Sequence, residues 1–323
     1  MKAFSHKNAG SVQEAVTLLA QGAGHALPVG GGSDLLEILK EQIQTPKSLV
    51  NLRTIPGLDR IQQKGEFISI GATVTVAAVA EDPLLQRLFP VLVEAASVIA
   101  SPQIRNVATV AGNLCQRPRC WYYRGPFHCL RKGGTTCFAQ QGENRYNAIL
   151  GGGPSYIVHP SDLAPALIAL DAKVRIAGPA GERLLPLDQF FVLPTVDTLR
   201  ENILKPGQIV TEILVPRPGA ETRSTYWKQM ERELWDFALV SAAVAVRQRA
   251  GKVEHARVVL GGVAPIPWRS KEAEAVLTGK PLDAGNVKAA AEKALMHAQP
   301  MRDNAYKVDM AKAVLCGALL QLA

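Results

Sequence analysis

Four of the five cysteines, Cys115, Cys120, Cys129 and Cys137, fall within 23 residues, and nowhere else does the 323-residue chain concentrate one chemistry so tightly. A stretch that gathers four thiols is expected to be an irregular, loop-rich insertion. Disulfides are disfavoured, because the start, Met1-Lys2-Ala3-Phe4-Ser5-His6-Lys7, leads into an amphipathic segment without the apolar run of a secretory leader. A chain of this length also buries a large core without cross-links. Structural zinc favours closely spaced cysteine pairs, and only Cys115 and Cys120, with four residues between them, approach that spacing. A plant-type [2Fe–2S] run fails because position 123 is Tyr. A [4Fe–4S] cluster fits better, since its cubane takes one thiolate per iron and tolerates irregular spacing. With four thiolates the oxidised cluster carries a charge of about −2, which needs nearby cations and N–H donors when buried. Arg117, Arg119, Arg124, Arg131 and Lys132 are candidates for the first, and Gly133-Gly134 for the second. Trp121, Tyr122, Tyr123 and Phe127 would exclude water, although ordinary packing explains them too. The residues alone leave zinc, or no metal, open beside the iron–sulfur reading. Cys316 stands apart in an apolar helix as a core residue.

Three glycine-bearing loops form the second signal. Leu27-Pro28-Val29-Gly30-Gly31-Gly32-Ser33-Asp34-Leu35 sets a strand, three glycines and a helix start in series. Glycine lets backbone approach a ligand, and the helix start turns unpaired N–H groups towards it, which suits a pyrophosphate. The run is neither G-x-G-x-x-G, because position 35 is Leu, nor a P-loop, because no Gly-Lys-Ser/Thr follows. A tight strand-to-helix turn is the plain alternative, with Asp34 a helix-start residue. Asn106 to Leu114 offers Thr109, Gly112 and Asn113 in a second loop. Gly151-Gly152-Gly153-Pro154-Ser155 leads into His159-Pro160-Ser161-Asp162, where Ser161 would cap a helix carrying Leu163, Ala166, Leu167 and Leu170. His159 and Asp162 suit an acid and a base, and a capped helix explains them equally well.

Residues 1–55 read as alternating strand and helix, with Ser11 and Ser33 as caps. Residues 58–216 read as a larger unit with a strand at Glu66–Ile70 and a helix over Pro83–Ile99. Pro216-Arg217-Pro218-Gly219 resembles a linker. Beyond it, Phe237–Gln248 and His255–Val263 read as a hairpin turning at Ala250-Gly251-Lys252, followed by helices at Asn286–Met296 and Ala305–Leu322. The charge of +8 is spread out and accompanied by no nucleic-acid signature, so no nucleic-acid partner is expected. No apolar run reaches the ~18–20 residues of a membrane span. A cytoplasmic protein is expected, or a periplasmic one if a signal-bearing partner exports it.

Taken in order, these segments resemble the FAD-binding medium subunit of the xanthine dehydrogenase/molybdenum hydroxylase family. Val29 to Leu35, Ile104-Arg105-Asn106 with Thr109 to Asn113, and His159 to Pro165 carry the match. Tyr226-Trp227-Lys228, Asp236 to Ser241 and Leu260 to Ala264 extend it towards the C-terminus. Arg119-Cys120-Trp121-Tyr122 and Gly133-Gly134-Thr135-Thr136-Cys137 resemble the branch with an additional [4Fe–4S] cluster, as in bacterial aldehyde oxidoreductases and 4-hydroxybenzoyl-CoA reductase. The resemblance implies an α+β fold. A two-part FAD-binding domain of vanillyl-alcohol-oxidase type would span 1–216, with subdomains 1–55 and 56–216 and an iron–sulfur insertion at about 115–150. A smaller α/β domain of CO dehydrogenase flavoprotein type would span 220–323.

By the same resemblance, Leu27, Pro28, Val29, Gly30, Gly31, Gly32, Ser33, Asp34 and Leu35, with Thr109, Gly112 and Asn113, would hold the FAD phosphates. Ser161 and Asp162 would lie near the ribityl chain or flavin, and Lys228 would approach from the C-terminal domain. Relatives commonly have Leu where this chain has Cys115, and their fourth cluster ligand falls where it has Ser155; Cys115 is taken as the substitute, Ser155 as the alternative. The implied role is electron transfer. A partner subunit holding the molybdenum cofactor oxidises substrate, a [2Fe–2S] subunit relays electrons, and FAD passes them to an external acceptor. A stand-alone FAD-dependent reductase of the same superfamily is the competing expectation.

Overall fold

The computed structural model describes all 323 residues. Its first unit is a three-stranded sheet in the order Ser5–Asn8, Ser48–Asn51, Ala26–Val29. Both pairings are parallel, so each return needs a crossover, and the helices Val12–Gln21 and Leu35–Lys40 supply them. Ser11 caps the first helix by accepting a hydrogen bond from Glu14 N, while the Glu14 carboxylate accepts one from Gly10 N at 2.7 Å. Ala15, Val16 and Leu19 bury against Val50, Leu52 and Ile55. Ser33 does not cap the second helix. The capping position falls to Asp34, whose side chain makes no capping bond because arginines far along the chain hold it.

A five-stranded antiparallel sheet follows, ordered Ile61–Lys64, Phe67–Gly71, Ile209–Pro216, Lys173–Gly178, Gly181–Pro186. Helices cover it, and the largest core gathers Ile68, Ile70, Phe89, Leu92, Leu167 and Ile213 between the layers. The single helix expected over Pro83–Ile99 is two helices, Pro83–Leu88 and Pro90–Ser97. Pro90 lacks an N–H and its ring crowds the preceding turn, which costs a continuous helix ~3 kcal/mol. Phe89 therefore takes a non-helical φ of −136° and buries its ring at the junction.

The C-terminal unit is an antiparallel sheet ordered Trp268–Arg269, Lys252–Gly261, Val240–Arg249, Thr222–Gln229. The expected hairpin is present, and its two turn residues, Ala250 and Gly251, both have positive φ, 50° and 73°. That geometry matches the right-handed twist of the flanking strands. Three helices, Lys271–Leu277, Ala284–Ala294 and Tyr306–Leu320, cover the sheet and form a second core with it; the first of them and the strand Thr222–Gln229 were not legible from spacing. No helix is long and apolar enough to cross a membrane.

The cysteine insertion is tied to this last unit. Ile149 and Leu150 belong to its core, and their N–H groups donate to Val263 O. The buried Lys307 ammonium donates to the carbonyls of Tyr146, Asn147 and Gly262. Burial without a carboxylate partner pushes that amine down to about 7.

Candidate functional site

The glycine loop leaves the strand Ala26–Val29 and packs onto the segment Val107–Gly112. A Cβ on Gly31 would sit 1.8 Å from Val107 O, and one on Gly30 would sit 2.7 Å from Thr109 Oγ1. Gly32 needs its freedom for a different reason, a φ of 73°. Thr109 caps the short helix Val110–Cys115 by accepting from Gly112 N, and Val110 N and Ala111 N donate to Val74 O and Ala72 O, so the free amides at the cleft are those of the glycine loop. Residues Leu27 to Leu35 line this cleft together with Thr109, Gly112, Cys115, Gln116 and Arg117.

From the cleft a groove of about 360 Å³ runs on, sharing Ser33, Asp34, Gly112 and Gln116 with it and reaching Asn113, Pro160 and Asp162. Arg232, Trp235, Asp236 and Phe237 form its outer wall. A third cavity, of about 350 Å³, shares Asp162, Arg119 and Phe237 with that groove and continues to Cys120, Trp121 and Tyr146. Cleft, groove and cavity adjoin through these shared walls and together make up a channel.

Asp162 is the polar centre of the channel. Ser161 caps the helix Leu163–Ala169 by accepting from Ala164 N at 3.0 Å, and its hydroxyl donates to Asn113 Oδ1 at 2.5 Å. Asp162, at the helix start, accepts from Tyr226 Oη at 2.5 Å and from Lys228 Nζ at 2.9 Å. Tyr226 and Lys228 are two apart on the strand Thr222–Gln229, so they share one face, which is why both reach the same carboxylate. Burial, then the neighbouring carboxylate, drives the Tyr226 phenol well above its usual range. Lys228 Nζ also donates to Val98 O and Asp236 O, which ties the second unit to the C-terminal unit at this point.

His159 is no acid–base group here. It is buried, its Nδ1 accepts from Ser161 N, and its Nε2 has no partner. Burial pushes the imidazole down to about 3, from an ordinary 6.5. Between those values the unfolded chain binds a proton that the folded chain refuses, so stability falls as pH drops from about 6.5 towards about 3. His159→Asn keeps an acceptor for Ser161 N and removes the titration. Urea midpoints measured from about pH 6.5 to 5, above most carboxylate titration, should depend less on pH in the variant. Equal slopes would contradict a neutral, buried His159.

The cysteines divide. Cys120, Cys129 and Cys137 line one small enclosed cavity with Tyr122, Tyr123, Phe138, Ser155 and Ile157. Cys129 and Cys137 are brought together by a turn at Gly133, φ 87°, and Gly134, where a Cβ would stand 1.9 Å from His128 O. The N–H groups of these glycines donate to Leu130 O and Cys129 O, not to sulfur as expected, because the turn itself needs them. Asn147 Nδ2 is the donor that faces Cys120 Sγ, at 3.9 Å. No three His, Cys, Asp or Glu side chains converge closely enough to hold one metal ion. Cys115 departs from its expected place. It ends the helix Val110–Cys115, faces the glycine-loop cleft, and burial raises its thiol to about 12. Cys316 packs beside the C-terminal core as expected.

The basic residues are also more engaged than their spacing indicated. Arg117 and Arg131 both pair with the buried Glu201, and Arg119 and Arg124 pair with Asp34 and Glu37. Lys132 Nζ donates to Gly125 O. The five cations of this segment face three carboxylates, and of the five Arg131, paired with Glu201, lines the cysteine cavity. Of the expected aromatic shield, Tyr123 is buried, whereas Trp121 and Phe127 are exposed. Glu201, Asn147, Arg232 and Trp235 carry no sequence signal of their own; only the fold brings them to the site.

The chain was compared with known proteins. Residues 2–218 match the family described as FAD binding domain in molybdopterin dehydrogenase, and residues 225–322 match the CO dehydrogenase flavoprotein C-terminal domain. The chain belongs to the FAD-binding medium subunits of the molybdenum hydroxylases. It is 35% identical to the aldehyde oxidoreductase FAD-binding subunit of Escherichia coli, over 99% of this chain and 98% of that one. Identity to the carbon monoxide dehydrogenase medium chain of Hydrogenophaga pseudoflava is 30%, over 93% and 88% of the two chains. A solved structure of carbon monoxide dehydrogenase from that organism, lacking the Mo-pyranopterin moiety of its cofactor, superposes with a TM-score of 0.80 over 99% of this chain and 96% of its own. Membership makes this chain a flavin subunit of an oxidoreductase, as the sequence resemblance implied.

Proposed function

We propose that this flavin subunit holds FAD along the channel and a [4Fe–4S] cluster in the cysteine cavity, and links a molybdenum-bearing partner to an external acceptor. The observation that carries the reading is the succession of adjoining spaces, with shared walls, from the glycine loop past Asp162 to Cys120. The amides of Gly30 to Gly32 would hold the pyrophosphate, with Leu27 to Val29, Ser33 to Leu35, Thr109 and Gly112 walling it. Asn113, Ser161 and the Asp162–Lys228–Tyr226 group would face the ribityl chain and flavin ring. FAD supplies a centre that takes up one or two electrons, and so joins one-electron carriers to a two-electron acceptor. Phe237 and Trp235 would shield the ring from water.

The cysteine cavity is read as the cluster site because three thiols line one small space. The surrounding segment also carries five cations against the three carboxylates they meet, an excess that favours a buried group of charge about −2, as a cubane with four anionic ligands has. A cluster here supplies a one-electron relay at the edge of the channel. The partners proposed are a large subunit with the molybdenum cofactor and a small [2Fe–2S] subunit, and the likeness to the aldehyde oxidoreductase subunit favours an aldehyde as the complex's substrate. The test is isolation of the tagged full chain from its native host. Two further chains, one carrying molybdenum, should accompany it, and an aldehyde should bleach the flavin absorption of the whole. A chain that purifies alone and turns over a substrate by itself would overturn the reading.

A further inference from the structure

We infer that Ser155, through its side-chain oxygen, is the fourth protein ligand of the cluster, and that Cys115 plays no part in it. The inference rests on the proposed cluster and goes beyond it. Three thiols line the cavity, and the remaining iron of a cubane needs a donor from its wall. Ser155 lies on that wall and is 1% exposed, so solvent does not reach it freely. A buried hydroxyl is ordinarily hydrogen-bonded. The adjoining side-chain bonds run from Asn147 to Tyr156 O and Cys120 Sγ, and Ser155 takes no part in them, so its oxygen is free to coordinate.

The backbone is arranged to hold Ser155 there. Asn147 Nδ2 donates to Tyr156 O at 2.9 Å and also faces Cys120 Sγ, so one amide fixes the serine segment beside a cysteine. Ala148 N donates to the same carbonyl. The glycines before it are required by their surroundings: Gly151 has a φ of 57° and lies against Trp268, and Gly152 lies against the Tyr156 ring. This third glycine loop therefore serves the cysteine cavity and not the channel.

Tyr122 Oη lies against Gly142; the Tyr123 phenol is buried without a hydrogen-bond partner, and burial raises it to about 12, so it gives up its proton less readily. Cys115 faces the glycine-loop cleft. On coordination the Ser155 O–H bond breaks, an oxygen–iron bond forms, and one proton leaves to solvent; no electron is transferred. Oxygen is a harder donor than sulfur and favours the more oxidised iron.

The experiment compares full-length wild type with Cys115→Ala, Ser155→Ala and Ser155→Cys, purified anaerobically, with FAD content as the check on folding. Cys115→Ala should match wild type in iron content and electron paramagnetic resonance. Ser155→Ala should release one iron to a chelator after mild oxidation at least about tenfold faster than wild type, leaving a three-iron signal. Ser155→Cys should retain its iron and shift the cluster's reduction potential upward. Iron loss in Cys115→Ala, or a Ser155→Ala variant indistinguishable from wild type, overturns the inference. Wild type that holds FAD but no iron removes the cluster itself, a failure distinct from a wrong ligand.

Discussion

Gly31→Ala is expected to lose most of its FAD and to melt several degrees below wild type. The added methyl would stand 1.8 Å from Val107 O, 2.6 Å from its carbonyl carbon and 3.0 Å from Ala108 Cα. All three atoms are backbone, so no rotamer change relieves the clash, and the two loops that form the cleft must separate. Overpacking of this kind costs ~1–3 kcal/mol where side chains can yield, and backbone yields less. Gly32→Ala is the control. It meets Leu36 at an ordinary 3.4 Å and suffers only from a φ of 73°, a strain of ~1–2 kcal/mol. Flavin-to-protein absorbance ratios and thermal melts of the two variants separate the causes. Full FAD occupancy in Gly31→Ala would show that the apposition of the two loops does not form the binding cleft.

Cys129→Ala is expected to abolish the cluster's broad visible absorption while leaving FAD bound. Cys129 is buried at the start of the Gly133-Gly134 turn, and its backbone, which pairs with Thr136, needs no thiol. The thiol lines the cysteine cavity but none of the channel, so its loss removes one ligand and spares the loops around Thr109 and Asp162. Alanine is chosen because a serine would offer an oxygen. Iron per flavin should fall to near zero with flavin unchanged. Simultaneous loss of both would mean that the cysteine loop also carries the FAD site.

What could be read from the sequence was what local chemistry decides. Ser11 and Ser161 cap helices within three residues of themselves, and the Ala250-Gly251 turn follows from the apolar runs on either side. The strand Thr222–Gln229 was hidden because its pattern, Thr-Arg-Ser-Thr-Tyr-Trp-Lys-Gln, is largely polar; its pairing with Val240–Arg249 makes it a strand. The break at Phe89 was missed by weighing apolar periodicity above the proline that follows.

At the site, the limits were of the same kind. Asp34 read as a helix-start residue because its partners, Arg117 and Arg124, lie more than eighty residues away. Glu201 anchors two arginines across similar distances and has no motif around it. Spacing grouped Cys115 with Cys120, whereas a helix end turns Cys115 to the cleft and a distant glycine loop delivers Ser155 to the cavity.

Native mass spectrometry of the full chain, purified without oxygen, tests the central claim most directly. The account predicts a mass above that of the polypeptide by one FAD together with four irons and four sulfides, about one cubane per chain. A species that carries FAD alone, with no iron under any condition that retains the flavin, would contradict it.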